Sequence, residues 1–343
     1  MDGAAGPTGS WSGSGRSRNP GRSRPASSKQ ALTARRDSPT ILPQRPPASP
    51  ASRHENPILQ APFVLPSSLT VSIVTYRPDH VLLGRCVTRL AAAISAARAD
   101  GAIGSVAVAL IDNSSDREIA DKVIKLGNER FHGSGVRLTY LHGHANIGYG
   151  TAHNLALHGT GTDYHLVLNP DIELAPDALH AAVRWLDAHP EIGAVVPKVT
   201  NADGAVEYLC KRHPAVFDLA LRGFAPRLLR AIFRRRLARY EMRDRIDPAS
   251  DEPVLDIPLM SGACMLVRRK AIDTTGGFDP EFFLYFEDYD WSLRLNAVIR
   301  TAYLPTMRVV HHGGGAARKG MRHIHWFTRS GLRFYRKHGW RWF

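Results

Sequence analysis

The chain has 343 residues, 43% of them hydrophobic and 22% charged, with a formal net charge of +14. That length exceeds what one core usually needs, which predicts one large domain with appendages or two domains. No run approaches the roughly 20 apolar residues of a membrane span. The start carries no apolar run, so no secretory signal is expected. Three separated cysteines, Cys86, Cys210 and Cys264, argue against a disulfide scaffold or zinc knot and suit a reducing compartment. The charge excess asks for a polyanionic partner: nucleic acid, an anionic membrane surface or an anionic substrate.

Residues 1–66 are dominated by Gly, Pro, Ser, Ala and Arg and read as a disordered tail, with too little apolar surface to offset chain entropy. An RNA-binding arm is the competing reading, weakened because only Trp11 is available to stack. From Leu69 the pattern changes. Val71–Tyr76 reads as a buried strand, and Pro78-Asp79 opens a helix with Leu82, Leu83, Cys86, Val87, Leu90 and Ile94 on one face. Strands are expected again at 106–111, 136–141 and 164–168. The first of these ends in Asp112-Asn113-Ser114-Ser115 and the last in Asn169-Pro170-Asp171. A Gly-rich turn, Asn146–Gly150, opens another helix; a helix over 176–188 and a strand over 193–199 follow. This alternation predicts an α/β domain with a mostly parallel central sheet and flanking helices. Ligands of such sheets bind at the carboxyl ends of the strands, where Thr75, Asp112 and Asp171 would converge.

Residues 201–255 read as an irregular basic insertion with one amphipathic helix, whose apolar positions run from Leu221 to Leu237 among nine arginines between Arg222 and Arg245. After Asp290 no acidic residue occurs, and residues 318–343 mix cations with Trp326, Phe327, Phe334, Tyr335, Trp340, Trp342 and Phe343. Both stretches suit an anionic headgroup interface, the alternative being solvated basic faces. The rest of the chain is net negative.

Asp171 at a strand end can hold a divalent cation whose other positions are filled by phosphate and water; the same tripeptide also makes an ordinary turn. Asp112 can accept from the N3–H of a pyrimidine. The Gly-rich turn fits neither a dinucleotide fingerprint nor a P-loop. The most informative segment is Gly276–Asp290, where Glu287, Asp288 and Asp290 follow the aromatic run Phe282-Phe283-Leu284-Tyr285-Phe286. A carboxylate in such a partly apolar setting can have a raised pKa and serve as general base. His311-His312 follows the strand Val309-Val310.

Taken in order, Val71–Tyr76, Ile111–Ser114, Asn146–Gly150, Leu168–Asp171, Ser261–Arg269, Gly276–Asp290 and His311 resemble bacterial glycosyltransferase family 2, in its rhamnosyltransferase-like branch, over residues 69–340. The resemblance implies a GT-A fold over residues 67–317, a nucleotide-diphospho-sugar donor and an inverting transfer. It implies that Thr75, Tyr76 and Asp112 hold base and ribose. Asn146 and Gly148 would line the donor cleft, with Asn113 and Asn169 on the donor side. It assigns a divalent cation (Mg²⁺ or Mn²⁺) to Asp171 and His311, with His312 the lesser candidate. It makes Asp288 the catalytic base, with Glu287, Asp290 and Arg294 on the acceptor side or supporting it. Asn169 replaces the first Asp of the family's Asp-x-Asp motif, leaving one fewer charge for the metal. The implied reaction is transfer of a sugar, dTDP-rhamnose foremost as donor, to a lipid-linked or glycan acceptor. The implied location is the inner face of the cell membrane, in the cytoplasm. A nucleic-acid-binding protein and a nucleotidyltransferase are the competing classes. The first lacks a recognition motif, and the second lacks a Gly-rich basic loop after the first strand.

Overall fold

The computed structural model describes residues 65–159, 161–313 and 320–343, and residues 61–343 form one compact unit. The expected N-terminal tail lies outside the described residues through residue 64. In chain order the elements are β1 (Ser67–Thr75), α1 (His80–Ala99), β2 (Ile103–Asp112), α2 (Arg117–Phe131), β3 (Arg137–Leu141), α3 (Tyr149–Leu157), β4 (Tyr164–Leu168), β5 (Ile172–Leu174), α4 (Ala178–Ala188) and β6 (Ile192–Asn201). They continue with β7 (Val206–Glu207), α5 (Val216–Phe224), α6 (Arg227–Ile232), α7 (Arg234–Tyr240), β8 (Val254–Leu255), β9 (Cys264–Arg268), α8 (Arg269–Thr275), α9 (Glu287–Asn296), β10 (Arg300–His311) and α10 (Met321–His338).

The sheet runs β3-β2-β1-β4-β9-β6-β10-β5, with β7 on β6 and β8 on β10. β3, β2, β1 and β4 are mutually parallel, as are β6 and β10, while β9 is reversed between β4 and β6. The fold is the expected α/β sheet, mostly parallel, with one internal reversal. The reversal matters for the site. Because Cys264 pairs with Leu168, the residues just before β9 lie at the carboxyl end of β4. The chain leaving β4 then crosses to the far edge, where β5 pairs with β10 and Ile172 sits opposite His311.

The main core holds the apolar sheet face against α1 and α4. α1 starts at Asp79, whose carboxylate accepts from the N–H groups of Val81 and Leu82. α1 is long and apolar enough to pass a membrane-span test, with mean hydropathy 1.2, but it is a core helix: Leu83, Cys86, Val87, Leu90 and Ile94 are buried here. The second core, around Phe278 and Trp291, lies on the other face. Pro305 is tolerated inside β10 because the register with β6 breaks between Leu304 and Arg308.

The single amphipathic helix expected over 221–240 is instead the end of α5 followed by two short helices, α6 and α7. Pro226 lacks an N–H and leaves Ala225 extended, and Phe233 departs from helical geometry before α7. Residues 201–207, expected to be irregular, make a hairpin: Asn201 Oδ1 accepts from the N–H of Asp203 and Ala205, and Gly204 has φ +82°. α10 is no appendage either. Phe334 and Tyr335 pack with Phe282 and Phe286, so the aromatic run before Glu287 is the socket for the C-terminal helix.

Candidate active site

The polar strand ends meet as the topology requires. β1 and β2 are in register at Thr75 and Asp112, and Thr75 Oγ1 donates to Asp112 Oδ1 at 2.9 Å. Asp112 Oδ1 also accepts the Ser114 N–H, whereas Oδ2 is buried with no hydrogen-bond partner among the described residues. A buried carboxylate oxygen without a donor is costly, so it marks a place where a ligand N–H fits. Asn113 is similar: its Nδ2 donates to the Gly148 carbonyl at 3.0 Å, and its Oδ1 is buried without a partner among the described residues. Tyr76 stands half-exposed at the rim with the Arg77 guanidinium 5.8 Å from its ring centre.

The Gly-rich turn is a docking surface for the chain. Asn146 Oδ1 accepts the Gly148 N–H at 3.1 Å. Gly148 has φ +92°, and a Cβ there would fall 2.5 Å from the Phe283 carbonyl oxygen. The next N–H, of Tyr149, donates to that same carbonyl at 3.0 Å. Only glycine lets the two loops approach this closely. Tyr149 then reaches inward, its hydroxyl 2.8 Å from Asn169 Oδ1 and 2.7 Å from the Gly262 carbonyl. Burial, and after it the carboxylates of Glu287, Asp288 and Asp171, push this phenol well above its ordinary pKa, so it remains a donor.

Gly262 is the link to the proposed base. Its N–H donates to Asp288 Oδ2 at 3.0 Å, and Asp288 Oδ1 accepts the N–H of Tyr289 at 2.9 Å. The neighbouring Asn169 N–H donates to Ala263 at 2.8 Å, so the turn before β9 carries Asp288 on one side and Asn169-Pro170-Asp171 on the other. Burial pushes the Asp288 carboxyl up to about 6, against the lowering effect of its two neighbouring N–H donors and its own backbone. Burial, with the Asp288 charge second, raises Glu287 well above the carboxylate range, and Glu287 Oε2 has no hydrogen-bond partner among the described residues. Both begin α9, whose N-terminal dipole favours an ionised carboxylate there. The approach is strained: Tyr285 and Phe286 have φ of +71° and +65°, costing roughly 1–2 kcal/mol each for bulky residues. Aromatic packing holds them, with Phe286 against Phe327 and Phe334 and the Tyr285 hydroxyl 2.8 Å from His323 Nδ1.

Asp290 and Arg294 fall on another side of α9. Asp290 is fully buried, with Arg294 Nε 2.9 Å from one oxygen and His338 Nε2 and Lys337 Nζ 2.8 and 2.7 Å from the other. Arg294 also donates to the carbonyls of Thr275 and Gly277. These two residues tie α9 to α10 and to the loop after α8.

At the far side, His311 Nε2 lies 3.6 Å from Asp171 Oδ2, and His311 Nδ1 lies 2.8 Å from Glu207 Oε2. His312 Nε2 is turned to Glu173, at 2.8 Å, leaving His311 as the imidazole that faces Asp171. Burial draws the His311 imidazole toward neutrality, and the Asp171 and Glu207 carboxylates outweigh it, raising its pKa. Among the described residues no group of three or more His, Cys, Asp or Glu forms a metal cluster. A two-ligand site still fits. Donors about 2.1 Å from one ion stand roughly 3 Å apart at a right angle, and a carboxylate with a carboxylate-braced imidazole is a suitable set for a cation that keeps phosphate or water. Gly313 leaves the space: a Cβ there would lie 1.9 Å from Asp171 Oδ2 and 2.9 Å from His311 Nε2. Glu207 and Tyr149 are the site residues that sequence reasoning missed. Tyr149 sits inside a quoted motif, whereas Glu207 had only the Asp203-Gly204 turn signal before it.

Residues 66–343 match the family described as glycosyltransferase like family 2. The chain belongs to that family. It is 32% identical over 258 residues to N-acetylglucosaminyl-diphospho-decaprenol L-rhamnosyltransferase of Mycobacterium tuberculosis, covering 71% of this chain and 76% of that one. It is 26% identical over 152 residues to rhamnosyltransferase WbbL of Escherichia coli, covering 44% of this chain and 52% of the relative. In fold it is similar to GalNAc-T7, solved with UDP, GalNAc and Mn²⁺, with a TM-score of 0.52 at 16% identity over 79% of this chain and 48% of that one. The chain is thus a rhamnosyltransferase-like family 2 glycosyltransferase with the GT-A fold.

Proposed function

We propose that this glycosyltransferase moves L-rhamnose from dTDP-rhamnose to a hydroxyl of a lipid-linked or polysaccharide acceptor, with inversion, at the inner face of the cell membrane. The observation that carries the reading is Asp288: a single carboxylate with a pKa raised to about 6, fixed by Gly262 and Tyr289 N–H groups beside the Asp171 turn. At neutral pH it is mostly ionised, yet basic enough to accept the acceptor hydroxyl's proton as that oxygen attacks the anomeric carbon. A single base suffices for direct displacement, whereas hydrolysis through a glycosyl-enzyme needs two carboxylates across the bond. Asp112 Oδ2 is suited to accept the N3–H of the donor's pyrimidine, and Tyr76 to cover the base at the rim. Asp171 and His311 would hold a divalent cation, Mg²⁺ or Mn²⁺, which supplies charge stabilisation for the departing diphosphate when bound. The names of the relatives support rhamnose and a diphospho-polyprenyl acceptor.

The test is a transfer assay with dTDP-rhamnose, Mn²⁺ and an N-acetylglucosaminyl-diphospho-polyprenol, read by mass spectrometry. A gain of one deoxyhexose is expected. Transfer from another nucleotide sugar only would overturn the donor, and no transfer from any would overturn the reaction.

A further inference from the structure

The structure joins two basic, apolar stretches that are a hundred residues apart in sequence. The N–H groups of Val216 and Phe217, at the start of α5, donate to the carbonyls of Arg341 and Trp342 at 2.8 and 3.3 Å. The Phe217 ring then lies 5.2 Å from Phe233, at the junction of α6 and α7, and 5.6 Å from Phe343. Around this hub the outward residues are large and apolar: Leu228 is 76% exposed, Ile232 67%, Trp342 59% and Phe343 87%. Isolated exposed apolar side chains need no explanation, but a shared patch from two segments does.

The side-chain charges on the patch have one sign. No acidic residue occurs between Leu219 and Tyr240 or anywhere after Asp290. Arg227, Arg230, Arg234 and Arg235 are exposed, and none makes an ion pair with the described residues. Where the basic region does have carboxylates they are already taken: Asp218 by Arg236, and Glu241 by Lys211 and Arg243. A protein partner would need its own carboxylates matched to each of these positions. An anionic lipid surface meets them all, since apolar side chains enter the acyl boundary while guanidinium groups stay with the headgroup phosphates.

We infer that the face built from α6, the start of α7 and residues 340–343 docks on an anionic lipid surface. This goes beyond the transfer chemistry and stands without it. It also divides the labour of the C-terminal segment. Phe334 and Tyr335 of α10 are spent on Phe282 and Phe286, whereas Trp342 and Phe343, after its end, are exposed beside α6. α10 in turn packs on the strained loop before Asp288.

Deleting α10 would expose the Phe282–Phe286 socket and confound the result, so the test uses exposed positions. Full-length protein is cosedimented with phosphatidylcholine vesicles and with vesicles containing about one-third phosphatidylglycerol. The wild type is expected to bind the anionic vesicles and to release as salt rises. Leu228→Glu/Ile232→Glu should weaken binding at least about ten-fold, as should Trp342→Glu/Phe343→Glu, since each removes two apolar contacts and adds two like charges. Circular dichroism and melting temperature should remain those of the wild type. Unchanged vesicle binding by both double variants, or no binding by the wild type, would overturn the inference. So would a wild-type dimer in solution that the same variants dissociate, which would make the face a self-interface.

Discussion

Asp288 and Asp290 stand two residues apart on one helix and have opposite fates. Residues at i and i+2 of a helix do not share a face, so a run of acids is sorted by geometry that composition does not display. Asp288 accepts hydrogen bonds from backbone N–H groups at the end of the sheet and keeps a raised pKa. Asp290 is fully buried among Arg294, Lys337 and His338. The first arrangement suits a base that must take up and release a proton; the second is a lock between α9 and α10.

Asp288→Asn should break the comparison on the chemical side. Transfer should fall about 10²- to 10⁴-fold, the usual contribution of a general base, while dTDP affinity measured by calorimetry stays within about two-fold. Asp290→Ala should break it on the structural side. Leaving Arg294 and Lys337 without their carboxylate should cost roughly 3 kcal/mol, a fall in melting temperature of about 6–12 °C, with transfer below that midpoint retained within about ten-fold. A third carboxylate sharpens the contrast, because Glu207 acts through His311. Glu207→Gln should weaken Mn²⁺ binding about 10- to 100-fold by calorimetry, leaving the melting temperature of the metal-free protein near its starting value. Gly313→Ala should abolish measurable Mn²⁺ binding by filling the space between Asp171 and His311. The smallest effect is on pH. If Asp288 is the base it must be ionised, so transfer should lose about ten-fold per unit below about pH 6 and stay flat above it until another group titrates. A limb near the ordinary aspartate value of about 4 would contradict the raised pKa.

The meeting of strand ends was legible because parallel-strand topology places them together, and Thr75 and Asp112 lie 2.9 Å apart as that rule requires. The reversal of β9 was not legible, since Cys264–Arg268 reads as a strand in either direction. That reversal is what carries Gly262 to Asp288. Glu207 was hidden for a different reason: it lies 104 residues from His311 on a two-residue strand too short for any periodicity. The aromatic C-terminus reads as a headgroup interface or a solvated basic face, yet Phe334 and Tyr335 are core. An apolar face wanting protein and one wanting lipid have the same composition. Nor does any local pattern announce that Ser72 bridges two fully buried histidines, His153 at 2.7 Å and His165 at 2.8 Å, beneath Tyr149.

The central claim is a direct displacement assisted by one carboxylate. The most direct measurement is the anomeric configuration of the transferred sugar in the product, compared with that of the donor by NMR. The opposite configuration is expected. Retention would rule out attack from the face opposite the leaving group, and with it the displacement proposed here.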